Sequence, residues 1–320
     1  MSEFELIQLF FTERQASTPT IPLGIGDDCA LLSPRAGTQL AISTDMLVEG
    51  RHFFAGADPK LLGHKSLAVN LSDLAAMGAM PLAFTLALSL PAADTAWLRD
   101  FSDGMFALAA QHQCQLMGGD TTKGPLTICI TVFGEIAQGR ALRRDAAKSG
   151  DDIWVSGTLG DAQCALAGYL NQQALSASDL EQAASRLHKP VPRISLGLAL
   201  QGIAHAAIDL SDGLIGDLKH ILHKSGLGAT IWCDRLPLGP VLQKQVQAIQ
   251  YEFALAGGDD YELCFTAPRA RRDDVLAAAR LAATPVTRIG YMQEQSGLRM
   301  VDAQSNARAF SFQSFDHFQS

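Results

Sequence analysis

The sequence predicts a mixed α/β (α+β) protein built as two domains. Three observations carry this reading. Helix and strand periodicities alternate along the chain. Its 320 residues correspond to about two domains at roughly 150 residues each. The alternation stops over 139–150, where Arg140, Arg143, Arg144 and Lys148 stand between Gly139 and Gly150 without apolar periodicity. An N-terminal domain over 1–138, a linker over 139–150 and a C-terminal domain over 151–320 are therefore expected.

The elements follow in order. Thr38 to Ser43 reads as a strand running into Thr44-Asp45. Asp58-Pro59 is a helix cap followed by a first-turn proline, and Gly78 supplies the stop, so 59–77 is expected to be helical. Ala83 to Leu90 alternates, with Phe84, Leu86, Leu88 and Leu90 on one face of a strand. Trp97, Leu98, Phe101, Met105 and Leu108 recur at helical spacing and predict a helix over 95–113. Pro125 to Glu135 is β-rich. Beyond the linker, strand or helix signals return at Ile153 to Ser156, Gly160 to Leu170, Ile194 to Gly202 and Leu214 to Lys224.

Composition removes several function classes. There are 25 basic against 33 acidic residues, a net charge of −8, which argues against a nucleic-acid binder or a membrane-surface protein. The longest apolar stretch, Pro81 to Ala93, is too short to span a bilayer, and the acidic start Ser2-Glu3-Phe4-Glu5 is unlike a signal peptide. The six cysteines form no C-x-x-C pair, which suits reduced thiols in a cytoplasmic protein. No G-x-x-x-x-G-K-[ST] loop and no G-x-S-x-G elbow occurs, and Gly24-x-Gly26-x-x-Cys29 lacks the third glycine of a dinucleotide fingerprint. His220 and His223, three apart on a helix, are expected at the surface.

What remains is a repeated placement of aspartates. Apolar runs end in acid at Asp27-Asp28, Asp45, Asp120, Asp209-x-x-Asp212 and Asp259-Asp260, mostly beside glycine. Strand ends beside glycine turns are where α/β proteins place ligand-binding groups. Ser66, Asn70 and Asp73 add a polar stripe on the 59–77 helix, to be read either as a solvent face or as part of the same site. Oxygen donors without clustered Cys or His suit Mg²⁺ or Mn²⁺ and not zinc or copper; Mg²⁺ takes one or two carboxylates and completes its shell with water and phosphate. So many acids imply several ions on a phosphate-rich substrate.

These residues carry a resemblance. Gly24-Ile-Gly-Asp-Asp28, Ile42-Ser-Thr-Asp45, Asn70-Leu-Ser-Asp-Leu-Ala-Ala-Met-Gly78, Gly118-Gly-Asp-Thr-Thr122, Asp209-Leu-Ser-Asp-Gly213 and Gly257-Gly-Asp-Asp-Tyr-Glu-Leu263 resemble the motifs of the thiamine-monophosphate kinase family, within the aminoimidazole ribonucleotide synthetase superfamily. The block 70–78, His52 and the final Phe315-Asp-His-Phe318 point to the thiamine branch. The resemblance implies a two-domain aminoimidazole ribonucleotide synthetase-like fold whose N-terminal strands form a dimer barrel, hence a homodimer, with the active site in the cleft between the domains. It implies ATP-dependent phosphorylation of thiamine monophosphate to thiamine diphosphate by direct in-line transfer. Asp28, Ser43, Thr44, Asp45, Asp73, Asp120, Asp209 and Asp212 would hold Mg²⁺. Gly119, Asp120, Arg144 and Ser211 would line the nucleotide site, with Arg143 an alternative to Arg144. His52, Asp259 and Phe315 would face the thiamine phosphate. The family usually carries Glu where this chain has Asp259. Two other readings stand beside it: another ATP-dependent member of the superfamily acting on a ribonucleotide or selenide, and a non-catalytic Mg-nucleotide sensor.

Overall fold

The computed structural model of the chain describes residues 3–12 and 18–310. They form two compact units, one of residues up to Leu74 with Ala79–Gly139, the other of Ala75–Gly78 with the residues from Arg140 onward.

In the first unit, α1 (Glu3–Ile7) and a short π-helix (Gln8–Thr12) precede β1 (Thr38–Val48), α2 (Pro59–Met77), β2 (Met80–Leu90), α3 (Thr95–Gln111), β3 (Gln115–Lys123) and β4 (Thr127–Ala137). The strands make one sheet in the order β1-β4-β2-β3. β4 runs antiparallel to β1 and β2, and β2 runs parallel to β3 through the α3 crossover. Local chemistry sets the helix starts: the Asp58 carboxylate accepts from the Leu61 amide at 3.0 Å, and Asp94 caps α3 through Ala96 and Trp97. Phe84, Leu86, Leu88 and Leu90 are all buried, as their alternation predicts. Each such side chain withdrawn from water stabilises the fold by about 1.5–3 kcal/mol.

Two expectations change here. β1 extends to Val48, so Asp45 lies inside the strand. As an edge strand, β1 has amides turned away from the sheet, and the Asn70 side chain takes the Asp45 amide at 3.0 Å. The glycines before Asp120 also form strand, not turn, within β3.

The second unit contains β5 (Asp152–Ser156), α4 (Asp161–Tyr169), α5 (Ala177–His188), α6 (Ile194–Ala199), β6 (Ala206–Asp209), α7 (Leu214–Ser225), β7 (Gly228–Trp232), α8 (Gln247–Ala256), β8 (Leu263–Ala267), α9 (Arg272–Leu281), β9 (Val286–Gln293) and β10 (Gly297–Val301). The sheet order is β10-β7-β9-β5-β8-β6, antiparallel except between β10 and β7. Ile153, Val155, Ile208, Ile221 and Cys264 belong to its core. His220 and His223 are exposed on α7, as expected. Among the described residues no helix is long and apolar enough to cross a membrane.

Candidate active site

The first unit carries a cavity of about 750 Å³, walled by the Gly24–Ala30 loop, by Thr85 and Leu86 of β2 and by 116–121 of β3. The loop is closed by the Leu31 amide donating to Leu23 O at 2.8 Å. It is flanked by a small apolar cluster in which Ile21, Ala83 and Met117 pack with Ala30, Leu32 and Phe133. Asp28 and Asp120 both line the cavity, and the Asp28 amide donates to the Asp27 carboxylate at 2.8 Å. Gly119 makes this geometry possible. Its φ is +152°, and a Cβ there would stand 1.9 Å from Leu86 O, so only glycine lets β3 lie this close to β2.

A second group lies between β1 and α2. The Ser43 hydroxyl donates to the Asp73 carboxylate at 2.5 Å, while Asn70 holds the Asp45 amide. Ser66 and Asn70 are fully buried, with Ser66 donating to Leu62 O and the Asn70 amide donating to Ser66 O. The polar stripe of α2 is therefore not a solvent face. Thr44 points to the opposite side of the sheet, where its hydroxyl meets that of Thr131 at 2.8 Å. In the loop after β1, His52 Nδ1 accepts from the Val48 amide at 3.0 Å, so a neutral ring carries its proton on Nε2.

The third group lies in the second unit. Two turns remote in sequence, 209–213 and 257–262, are joined by main-chain bonds. The Leu210 amide donates to Glu262 O at 2.8 Å, the Tyr261 amide to Leu210 O at 2.8 Å and the Asp259 amide to Ser211 O at 2.9 Å. Asp209, Ser211, Asp212 and Asp259 thereby belong to one neighbourhood. Asp217 holds its near side: one carboxylate oxygen accepts from the amides of Ser211, Asp212 and Gly213 at 3.1–3.2 Å. Burial and the Asp212 charge push the Asp217 carboxyl up to about 7, against the pull of those amides. Burial also raises Asp161, which accepts from the Leu242 and Val241 amides, and Asp260, which accepts from the Gly160 amide at 2.9 Å.

The site residues expected from sequence thus fall into separate sets. Asp28, Gly119 and Asp120 share the cavity; Ser43, Asp45 and Asp73 share the seam between β1 and α2; Asp209, Ser211, Asp212 and Asp259 share the joined turns. Among the described residues no three acidic, His or Cys side chains close on one point. Arg144 is exposed, with its carbonyl accepting from Ser225, whereas the Arg143 guanidinium is engaged by Asp145. Phe315 lies outside the described residues. Sequence reasoning missed Asp217, Glu262 and the arginines around Glu262. An acid in the first turn of a helix, as Asp217 is in α7, was the available signal.

Comparison with known proteins settles the family. Residues 26–136 match the N-terminal domain, and 148–303 the C-terminal domain, of AIR synthase related proteins. A thiamine-monophosphate kinase of Salmonella typhimurium is 47% identical over 321 residues, covering 99% of this chain and 98% of its own. The chain belongs to the thiamine-monophosphate kinase family. It is therefore an enzyme of the phosphotransferase class, and its two units have the expected aminoimidazole ribonucleotide synthetase-like fold. The crystal structure of thiamine-monophosphate kinase from Stenotrophomonas maltophilia aligns with a TM-score of 0.87 at 47% identity, covering 94% of this chain and 96% of that one. A structure described as AaThiL complexed with AMPPCP and TMP aligns at 0.78 and 30% identity, covering 99% and 97%.

Proposed function

We propose that this thiamine-monophosphate kinase family member transfers the γ-phosphoryl group of ATP directly to thiamine monophosphate, releasing thiamine diphosphate and ADP. The observation that carries the reading is the full-length similarity to a relative complexed with AMPPCP and TMP. The acceptor, a phosphate monoester with a second pKa of about 6, is largely dianionic at neutral pH and needs no general base. The difficulty is the approach of one anion to another, so the protein's work is positioning and charge neutralisation.

The donor chemistry suits Mg²⁺. The candidate set is all oxygen, and its acids come in small groups that leave coordination places for water and phosphate. Asp28, Ser43, Asp45, Asp73, Asp120, Asp209 and Asp212 are the residues proposed to hold the ions; Thr44 is not kept as a side-chain ligand, because its hydroxyl is turned to the other face of the sheet towards Thr131. Bound there, Mg²⁺ supplies Lewis-acid shielding of phosphate charge. Gly119, Asp120, Arg144 and Ser211 are assigned to the nucleotide, and His52, Asp259 and Phe315 to thiamine monophosphate. The His52 ring is held through Nδ1 by the Val48 amide, which fixes where it stands in the loop after β1. Asp259 is one methylene shorter than the family's usual Glu, so its reach depends on the backbone that carries it.

The protein is proposed to act as a homodimer. Leu40, Ile42 and Met46 on edge strand β1 are 41%, 59% and 55% exposed, an apolar strip suited to a second copy. A cytoplasmic location is proposed from the need for ATP.

The test is ADP release across a panel of acceptors. Release that depends on thiamine monophosphate and not on a ribonucleotide or selenide is expected. Binding of Mg-ATP without turnover would establish a sensor instead, and a trapped phosphoenzyme would rule out direct transfer.

A further inference from the structure

We propose that Arg186 and Arg193 are positioning residues for Asp259, acting through the buried carboxylate of Glu262; the proposal rests on the assignment of Asp259 to thiamine monophosphate. Asp259 and Tyr261 both have left-handed backbones, with φ of 66° and 48°. Such a conformation is unfavourable for residues other than glycine, and two in three positions persist only where the surroundings impose them.

The surroundings do so from Glu262. Its side chain is fully buried, and its Oε1 accepts from Arg186 Nη2 at 2.7 Å and Arg193 Nη2 at 2.5 Å. Oε2 accepts from Arg193 Nε and from the Ser156 hydroxyl, both at 2.6 Å. Ser156 is fixed in turn by the Leu263 amide at 2.8 Å. The same Arg186 Nη2 donates to Asp260 O at 3.1 Å. One guanidinium therefore spans Tyr261, gripping the residue before it by the main chain and the residue after it by the side chain. Gly157 makes room, since a Cβ there would stand 2.1 Å from Glu262 Oε1.

A buried charge set of this kind seldom adds net stability over apolar packing of the same volume. What it does provide is direction: two planar donors and a hydroxyl fit one carboxylate placement. With the 262 end fixed by these groups and the 259 end tied to Ser211 O, the intervening turn has one conformation. That matters more here than with glutamate at 259, because a shorter side chain has less freedom to make up for a displaced backbone.

Arg186→Lys keeps the charge but loses the planar fork. Expected is a rise of about tenfold in KM for thiamine monophosphate, with kcat and KM for ATP within about twofold. Combined with Asp259→Asn, the substitution should add nothing to the KM effect of Asp259→Asn alone. A lowered melting temperature with unchanged KM for thiamine monophosphate, equal rises in both KM values, or fully additive effects would overturn the proposal. If Asp259→Asn itself leaves that KM unchanged, the assignment of Asp259 fails first. Arg193→Lys, judged by the same measurements, serves should Arg186→Lys not fold.

Discussion

Asp217 does its work as a hydrogen-bond acceptor, and its titration exposes that work. Its folded-state pKa of about 7 lies above the ordinary value of 3.8, so the folded protein binds this proton more tightly than the unfolded chain. The resulting stabilisation is complete in acid and is lost as pH rises towards 7. Asp217→Asn keeps an acceptor oxygen without the charge. In chelator, urea unfolding at pH 5 and pH 8 should show the wild type losing roughly 3 kcal/mol relative to this variant; an unchanged difference would place the pKa elsewhere. Asp45→Asn is the converse case, predicted to keep the fold and lower turnover by orders of magnitude. Near-normal activity at saturating Mg²⁺ would remove Asp45 from the metal set. At this scale the sequence was readable where acid stood beside glycine, as at Asp28 and Asp120. It was unreadable at Glu262, because nothing local to that residue shows that Arg186 and Arg193, more than sixty positions away, will neutralise it.

Elements whose signals lie within their own residues were foreseeable, for physical reasons. The cap and stop of α2 lie within a few residues of its ends, and the alternation of β2 is a property of the strand alone. The full length of β1 was not foreseeable, since it rests on a pairing with β4 that reaches Val48↔Thr127. α5 was not among the expected elements, although Ser176 caps it through the Asp179 amide and Ala183 and Leu187 mark its buried face. Two substitutions probe this level. Phe84→Ala in the β2 core should cost about 3–5 kcal/mol, measured by chemical denaturation. Gly119→Ala forces β3 away from the Leu86 carbonyl and should cost at least about 2 kcal/mol, together with loss of nucleotide binding. Retained stability in that variant would show that the two strands separate freely.

For the whole molecule, the governing facts are a net charge of −8 and an uncovered apolar strip on an edge strand. EDTA should abolish turnover and excess Mg²⁺ restore it; activity surviving chelation would contradict metal-assisted transfer. Ile42→Glu places a charge in the middle of the strip and should shift sedimentation towards the monomer, whereas an unchanged assembly state would mean copies meet elsewhere. The joined turns of the second unit have a wider consequence. The bonds that fasten 209–211 to 259–262 run between main-chain atoms, so they are indifferent to most side chains hung on them. The side chain at 259 hangs on that framework without holding it, so it is exchangeable where Glu262, which anchors the turn, is not. A lineage built this way can explore new acceptors one residue at a time while the framework stays put.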